Sequence, residues 1–326
     1  MALSDSEAVA YGFLTLCAED MYGGPAGTTN PAPSPQIALA GWKILGYLTA
    51  QDVLIPATGS PRKRMAIDPT NRVYYGFIAQ KISDPKAFVA AIRGTEAPVE
   101  WFIDAEFLPI PHPRYPNARV EQGFWGVYQT MSIADPATGA TKYQHAAEGV
   151  EEIVGDGSIV VTGHSLGSAL ATYFTEGLAL RLGAKVSACL FASPRTGDDA
   201  WAAIFDENVT GGYRLFNYIL DIVPHVPTGA DYATLSKATV IQPRGAQAGI
   251  RLDLVCNHHM LSYAALLDYA AEQQSGQDTS SPPCILGPAS SIRESTEAWA
   301  FIVTECGIAT EKARLLLEAL HEANFV

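Results

Sequence analysis

A serine stands between two glycines in Gly163-His164-Ser165-Leu166-Gly167, directly after the β-branched run Ile159-Val160-Val161-Thr162. Glycines on either side let a strand turn sharply into a helix without a Cβ clash, which leaves the serine hydroxyl exposed at the tip of the turn. The chemistry that suits such a group is nucleophilic attack on a carbonyl carbon, through a covalent acyl intermediate. The five-residue pattern is weak alone, and its surroundings make it specific. Leu166, Leu170, Tyr173 and Phe174 recur at helical spacing after the turn, and Gly183 supplies a stop.

A serine hydroxyl attacks only when a base takes its proton and an acid orients that base. In strand–elbow–helix catalysts the acid and then the base follow the serine along the chain. Asp221 closes the run Phe216-Asn217-Tyr218-Ile219-Leu220 and is followed by Ile222-Val223-Pro224. A carboxylate in so apolar a segment needs a partner. Asp198, Asp199 and Asp253 are weaker competitors. Of the later histidines, His225 is close to the acid between prolines and reads as structural, and His321 lies on the polar face of a helix near the C-terminus. The adjacent pair His258-His259 remains, and only one of the two can face the serine. A zinc site built on that pair fits poorly, because neighbouring imidazoles rarely ligate together and no Cys or acidic cluster accompanies them. The chemistry requires no metal and no organic cofactor.

The elements that must position these groups alternate in type. A helical pattern covers residues 5–22 and ends at Gly23-Gly24. Strands are predicted over 72–81 and 86–93, with Ser83-Asp84-Pro85 between them. Helices follow from Gly123-Phe124 and over roughly 141–154, then the elbow strand and its helix, then strands over 186–192 and 213–220. This alternation predicts an α/β fold with a mostly parallel central sheet covered by helices on both faces. Residues 1–272 read as the main domain. Residues 273–326 read as a C-terminal helical appendage packed on it, with a capping box at Ser291-x-x-Glu294 and an apolar face at Ala313, Leu316, Leu317 and Leu320.

Composition narrows the partners. The 326 residues are 48% hydrophobic, enough for a large core, and carry a formal charge of −13. That charge argues against nucleic acid and against electrostatic docking on anionic lipid. No apolar run is long enough to span a bilayer. The first basic residue is Lys43, so the sequence as written predicts a cytoplasmic chain; a secreted one would need a leader ahead of it. The five cysteines are scattered, Cys189 reads as a buried thiol, and Cys284 with Cys306 is one bridge the sequence permits.

Five motifs in order extend the reading. Ile92-Arg93-Gly94-Thr95, the elbow from Val161 to Gly167, Phe191-Ala192-Ser193-Pro194-Arg195-Thr196-Gly197, Asp221-Ile222-Val223-Pro224 and His258-x-x-x-x-Tyr263 together resemble the class 3 lipases. That family includes the filamentous-fungal triacylglycerol lipases and feruloyl esterases, and the likeness covers roughly residues 70–270. It implies the α/β-hydrolase fold and hydrolysis of carboxylic esters of lipase type. The family's triad would fall on Ser165, Asp221 and, by the distance to Tyr263, His258 rather than His259. Its oxyanion hole would use Thr95, by backbone N–H and hydroxyl, and the backbone N–H of Leu166. The implied partner is an ester or lipid substrate, met at an oil–water interface. The competing expectations are a feruloyl or short-chain esterase, an acyltransferase, and a non-catalytic binding module on the same fold. Two departures stand out: Val120-Glu121-Gln122 where many relatives carry a His before Gly-Phe, and Gly167-Ser168 where Gly-Gly is usual.

Residues 96–122 resemble the lid region of the fungal enzymes. Trp101, Phe102, Phe107 and Leu108 make the segment apolar, and Pro109, Pro111, Pro113 and Pro116 prevent a long helix. A loop that simply covers the core and a flap that opens onto an acyl chain are both compatible with this composition.

Overall fold

Strands buried on both faces, with successive residues joining opposite halves of the core, account for most of the architecture. The computed structural model describes residues 3–22, 28–54, 63–64, 66–95, 105–242, 248–251, 254–268 and 284–288. One sheet contains nine strands: β1 (Trp42–Leu54), β2 (Ala66–Lys81), β3 (Asp84–Ile92), β4 (Ser132–Ala134), β5 (Thr141–Tyr143), β6 (Ser158–His164), β7 (Val186–Phe191), β8 (Tyr213–Tyr218) and β9 (Ala238–Ile241). Their spatial order is β9-β8-β7-β6-β3-β2-β1-β4-β5. From β3 through β6, β7 and β8 to β9 every pairing is parallel. From β3 through β2, β1 and β4 to β5 every pairing is antiparallel.

Helices cover both faces. On one lie α2 (Gln122–Gln129), α3 (Ala146–Val154), α4 (Leu166–Leu182) and α5 (Asp199–Asn208); on the other lie α1 (Asp5–Tyr22) and α7 (Met260–Leu267), which follows the short α6 (Leu254–His258). The strand pattern matches this sandwich. Phe88, Ala90 and Ile92 of β3 join the α4 side, and Val89 and Ala91 join the α1 side. Ala188 and Leu190 of β7 likewise alternate with Cys189 and Phe191. Strands buried on both faces need apolar residues at every position, which is why they read as continuous hydrophobic runs.

Helix α1 matches the predicted 5–22, and Gly183, at φ 61°, ends α4 as expected. Other bounds differ. The acid's strand ends at Tyr218, and a turn with Asp221 N–H donating to Tyr218 O (3.0 Å) carries the chain to the carboxylate. The segment predicted as one helix over 141–154 divides into the edge strand β5 and helix α3. Strand β1, which pairs with β2 and β4, has no counterpart in the sequence reading. The proline-rich stretch forms a hairpin, Pro109–Pro111 against Arg119–Glu121.

Within the predicted appendage, Ile285–Pro288 pairs with Ala248–Ile250; the helices predicted beyond it lie outside the described residues. This pairing, with Arg251 N–H donating to Cys284 O (2.7 Å), lays Cys284 beside α6, where it is bonded to Cys256. The Cys284–Cys306 bridge that the sequence permits is therefore replaced by Cys256–Cys284, a pairing that spacing alone cannot select. Cys17 and Cys189 are buried free thiols. Among the described residues no helix is long and apolar enough to cross a membrane.

Candidate active site

Ser165 caps the N-terminus of α4 with φ 58° and ψ −129°, a backbone region that a residue with a Cβ rarely adopts. The flanking glycines are required by contact. A Cβ on Gly163 would lie 2.4 Å from Gly167 O, and one on Gly167 would lie 2.3 Å from Ile92 O and 2.4 Å from Arg93 O. The start of α4 thus rests directly on the end of β3. Ser165 N–H donates to Phe191 O (3.1 Å), which ties the elbow to the end of β7 as well.

Three distant segments meet at this sheet edge. Ser165 Oγ lies 2.8 Å from His258 Nε2, and His258 Nδ1 lies 2.7 Å from Asp221 Oδ2. A carboxylate can only accept, so the network assigns Nδ1–H to the Asp221 side and leaves Nε2 to accept from the serine hydroxyl. All three residues are buried. Burial lowers the His258 pKa, with a further push down from His164, against the opposing pull of Asp221; the ring is held neutral. Asp221 is pinned from several sides. Its Oδ2 also accepts from Tyr263 O–H (2.7 Å), and its Oδ1 accepts from Val223 N–H (3.0 Å). Tyr263 Oη in turn accepts from Tyr218 N–H (3.0 Å). The sequence reading used Tyr263 only as a spacing marker; its hydrogen bond to the acid was not anticipated.

Thr95 follows Gly94, and a Cβ on Gly94 would lie 3.2 Å from Ser165 Cβ, so the turn that carries Thr95 lies against Ser165. Its Oγ1 is buried with no hydrogen-bond partner among the described residues. Leu166 is the first residue of α4, and the helix itself does not use a backbone N–H at that position. The His164 ring bonds to other partners. Its Nε2–H donates to His258 O (2.6 Å), and its Nδ1 lies 3.1 Å from Glu19 Oε1.

The remaining candidates fall elsewhere. Phe107 packs against Phe124 with ring centroids 6.0 Å apart, and Leu108 O accepts from Gln122 N–H (2.9 Å). Trp101 and Phe102 lie outside the described residues, as do Asp253 and His321. Asp198 caps α5, accepting from Trp201 N–H (2.9 Å), and Asp199 opens that helix. His225 is buried, with its pKa lowered to about 4 by burial and by Arg195. His259 caps α7, with Nδ1 accepting from Leu261 N–H (3.2 Å). Among the described residues no group of three or more His, Cys, Asp or Glu could hold a metal ion.

Residues 89–230 match the family described as lipase (class 3), a stretch that holds the elbow, Thr95 and Asp221. Among curated proteins, Phospholipase A1-II 4 of Oryza sativa subsp. japonica is 33% identical over 161 residues, 43% of this chain and 39% of the relative. Phospholipase A1 EG1, chloroplastic/mitochondrial, of Oryza sativa subsp. indica is 26% identical over 275 residues, 72% of this chain and 60% of the relative. The match to these two relatives thus spans less than two thirds of their own length. The crystal structure of a mutant form of MDLA from Penicillium cyclopium shares the fold, with a TM-score of 0.51 at 21% identity over 74% of this chain and 80% of that one. The family match over residues 89–230, the α/β-hydrolase fold and the order of the motifs agree, and in this stretch the chain is similar to the class 3 lipases.

Proposed function

We propose that the protein is a carboxylic ester hydrolase of lipase type that works through an acyl-enzyme. One observation supports this most: a serine, a histidine and an aspartate from separate segments form a continuous hydrogen-bonded chain of 2.8 and 2.7 Å. Ser165 Oγ attacks the ester carbonyl carbon while its proton passes to His258 Nε2. Asp221 keeps its hydrogen bond to Nδ1–H and stabilises the imidazolium that forms. The carbonyl oxygen, now negative, is received by Thr95 and by the Leu166 N–H. Collapse breaks the ester C–O bond, and the leaving alcohol takes the proton from His258. Water then attacks the acyl-serine with His258 as base, releasing the acid and restoring Ser165.

The substrate we assign is an acylglycerol or other long-chain ester. Curated relatives named as phospholipases A1 support an acyl ester of a glycerophospholipid as one such substrate. Ser165 has no exposed surface. We assign the part of a cover that opens to substrate to the apolar segment 96–122, with Trp101, Phe102, Phe107 and Leu108 contacting the acyl chain. A persistent Cys256–Cys284 bridge favours an oxidising compartment over the cytoplasm.

Hydrolysis of p-nitrophenyl esters from acetate to palmitate, with and without an oil interface, tests the reading. Long-chain preference with interfacial activation is expected; a short-chain or feruloyl preference would shift the assignment to an esterase. Ser165→Ala should lower kcat more than about a thousand-fold with the fold intact, and should abolish labelling by a fluorophosphonate. Wild-type rates in that variant would refute the assignment.

A further inference from the structure

The side chain of Glu19 reaches the site from α1, an element that carries no part of the triad. Its Oε1 lies 3.1 Å from His164 Nδ1 and accepts from Gly94 N–H at 3.3 Å. One carboxylate oxygen thus joins the end of the nucleophile strand to the end of the strand that leads into Thr95. His164 extends the link, since its Nε2–H donates to the backbone carbonyl of His258 at 2.6 Å. The chain of contacts is Gly94, Glu19, His164, His258: one residue from the oxyanion side, one beside the nucleophile, and the base itself.

We propose that Glu19 is a positioning residue, whose carboxylate and the His164 ring together hold the Thr95, Ser165 and His258 segments in mutual register. The proposal rests on the ester-hydrolase reading above. Four features support it. First, a carbonyl can only accept, so His164 Nε2 carries a proton, and Nδ1 carries another when it faces an ionised Glu19. Burial works against both charges, yet the facing partners hold Glu19 below its ordinary value and raise His164 above its own. Both directions favour the charged pair.

Second, Gly94 is held from both ends of its backbone. Arg93 Nη1 donates to Gly94 O at 2.6 Å while Glu19 takes its N–H. Across a trans peptide, Gly94 C=O and Thr95 N–H point in opposite directions. Fixing the carbonyl toward the buried Arg93 therefore fixes the direction of the Thr95 donor. Arg93 is itself clamped, with its guanidinium 3.3 Å from the Tyr22 ring centroid and 4.6 Å from that of Tyr75.

Third, α1 is anchored beside the base. A Cβ on Gly12 would lie 2.6 Å from Met260 Cε, so glycine lets α1 approach the start of α7. Fourth, the His164 ring sits 4.6 Å from the His258 ring, centroid to centroid. The groups that bear electrostatically on the His164–Glu19 pair are Asp221, His258 and His259. A misplacement of about 1 Å in such a site costs on the order of a hundred-fold in rate.

The test compares full-length Glu19→Gln, Glu19→Asp and Asp20→Asn with the wild type. Glu19→Gln should lose ~10–100-fold in kcat with KM within about twofold, while the exposed same-helix control Asp20→Asn stays within about twofold of wild type in both. Imidazole nitrogen NMR should show His164 doubly protonated at neutral pH in the wild type and singly protonated in Glu19→Gln. Glu19→Asp keeps the charge but is one methylene too short to span both contacts, so it should lose kcat while His164 stays cationic. A folded Glu19→Gln within about twofold of wild-type kcat would overturn the proposal. Should Glu19→Gln fail to fold, an unimpaired Glu19→Asp does so instead. If the wild type hydrolyses no ester at all, the ester-hydrolase reading fails separately. The downfield Nδ1–H signal of His258 then decides: displaced in Glu19→Gln it supports the register, unchanged it overturns it.

Discussion

The two halves of the sheet divide the labour. On the parallel side, β3, β6 and β8 run in one direction, and the residues just beyond their ends are Thr95, Ser165 and Asp221. On the antiparallel side, β1, β2, β4 and β5 reverse direction at each step and carry none of these groups. Parallel strands collect their C-terminal ends at one edge, so chemistry can be assembled from segments far apart in the chain. Antiparallel strands scatter their ends and serve better as a platform. That side is correspondingly rich in large buried side chains, with Tyr47, Tyr74 and Phe77 packed under α1.

This division can be broken by substitution. At the parallel edge, Asp221→Asn should leave the fold in place and lower kcat by about a thousand- to ten-thousand-fold, because the imidazole loses its orienting charge. A stopped assay on pure protein with a matched circular dichroism melt checks both halves of that statement. In the antiparallel half, Phe77→Ala empties a fully buried site and should cost about 3–5 kcal/mol of stability. Its kcat per folded molecule should stay near wild type, and denaturant titration with active-site counting separates the two. A large kcat loss in this variant at full folding would erase the distinction.

Smaller effects sharpen it. His258 must be neutral to accept the serine proton, and burial lowers its pKa below the ordinary 6.5. The rising limb of kcat/KM should therefore lie below that value, with activity retained on the acid side; a limb above it would contradict the described environment. Glu121, which caps α2 beside β1 and β2, has a pKa raised to about 7 by burial, against backbone N–H groups that favour the charged form. The folded state holds that proton more tightly than the unfolded one. Its stabilising share is complete below the unfolded value near 4.5 and disappears as pH rises through about 7. Glu121→Gln should flatten the fall of Tm across that window by a few degrees, without moving the pH profile of turnover.

What the sequence disclosed follows the same boundary. The elbow, the acid and the two candidate bases were legible because strand ends and glycine turns leave local signatures. Strand β1 was not, since its apolar residues are interrupted by Gly46 and Lys43 and its pairing shifts register at several points. Residues 141–143 joined a predicted helix because an edge strand of three residues exists only through its partner β4. Glu19 and His164 were overlooked for a plainer reason. Their contacts join residues 75 and 145 positions apart, and no periodicity records that.

The elbow conformation has one more consequence. At φ 58° and ψ −129° the backbone of Ser165 occupies ground that glycine enters freely and other residues enter at about 1–3 kcal/mol. The chain is kept under tension at the residue to which the attack is assigned. Drift to glycine at that position would yield a sturdier but inert protein, so robustness and reactivity pull in opposite directions at a single residue.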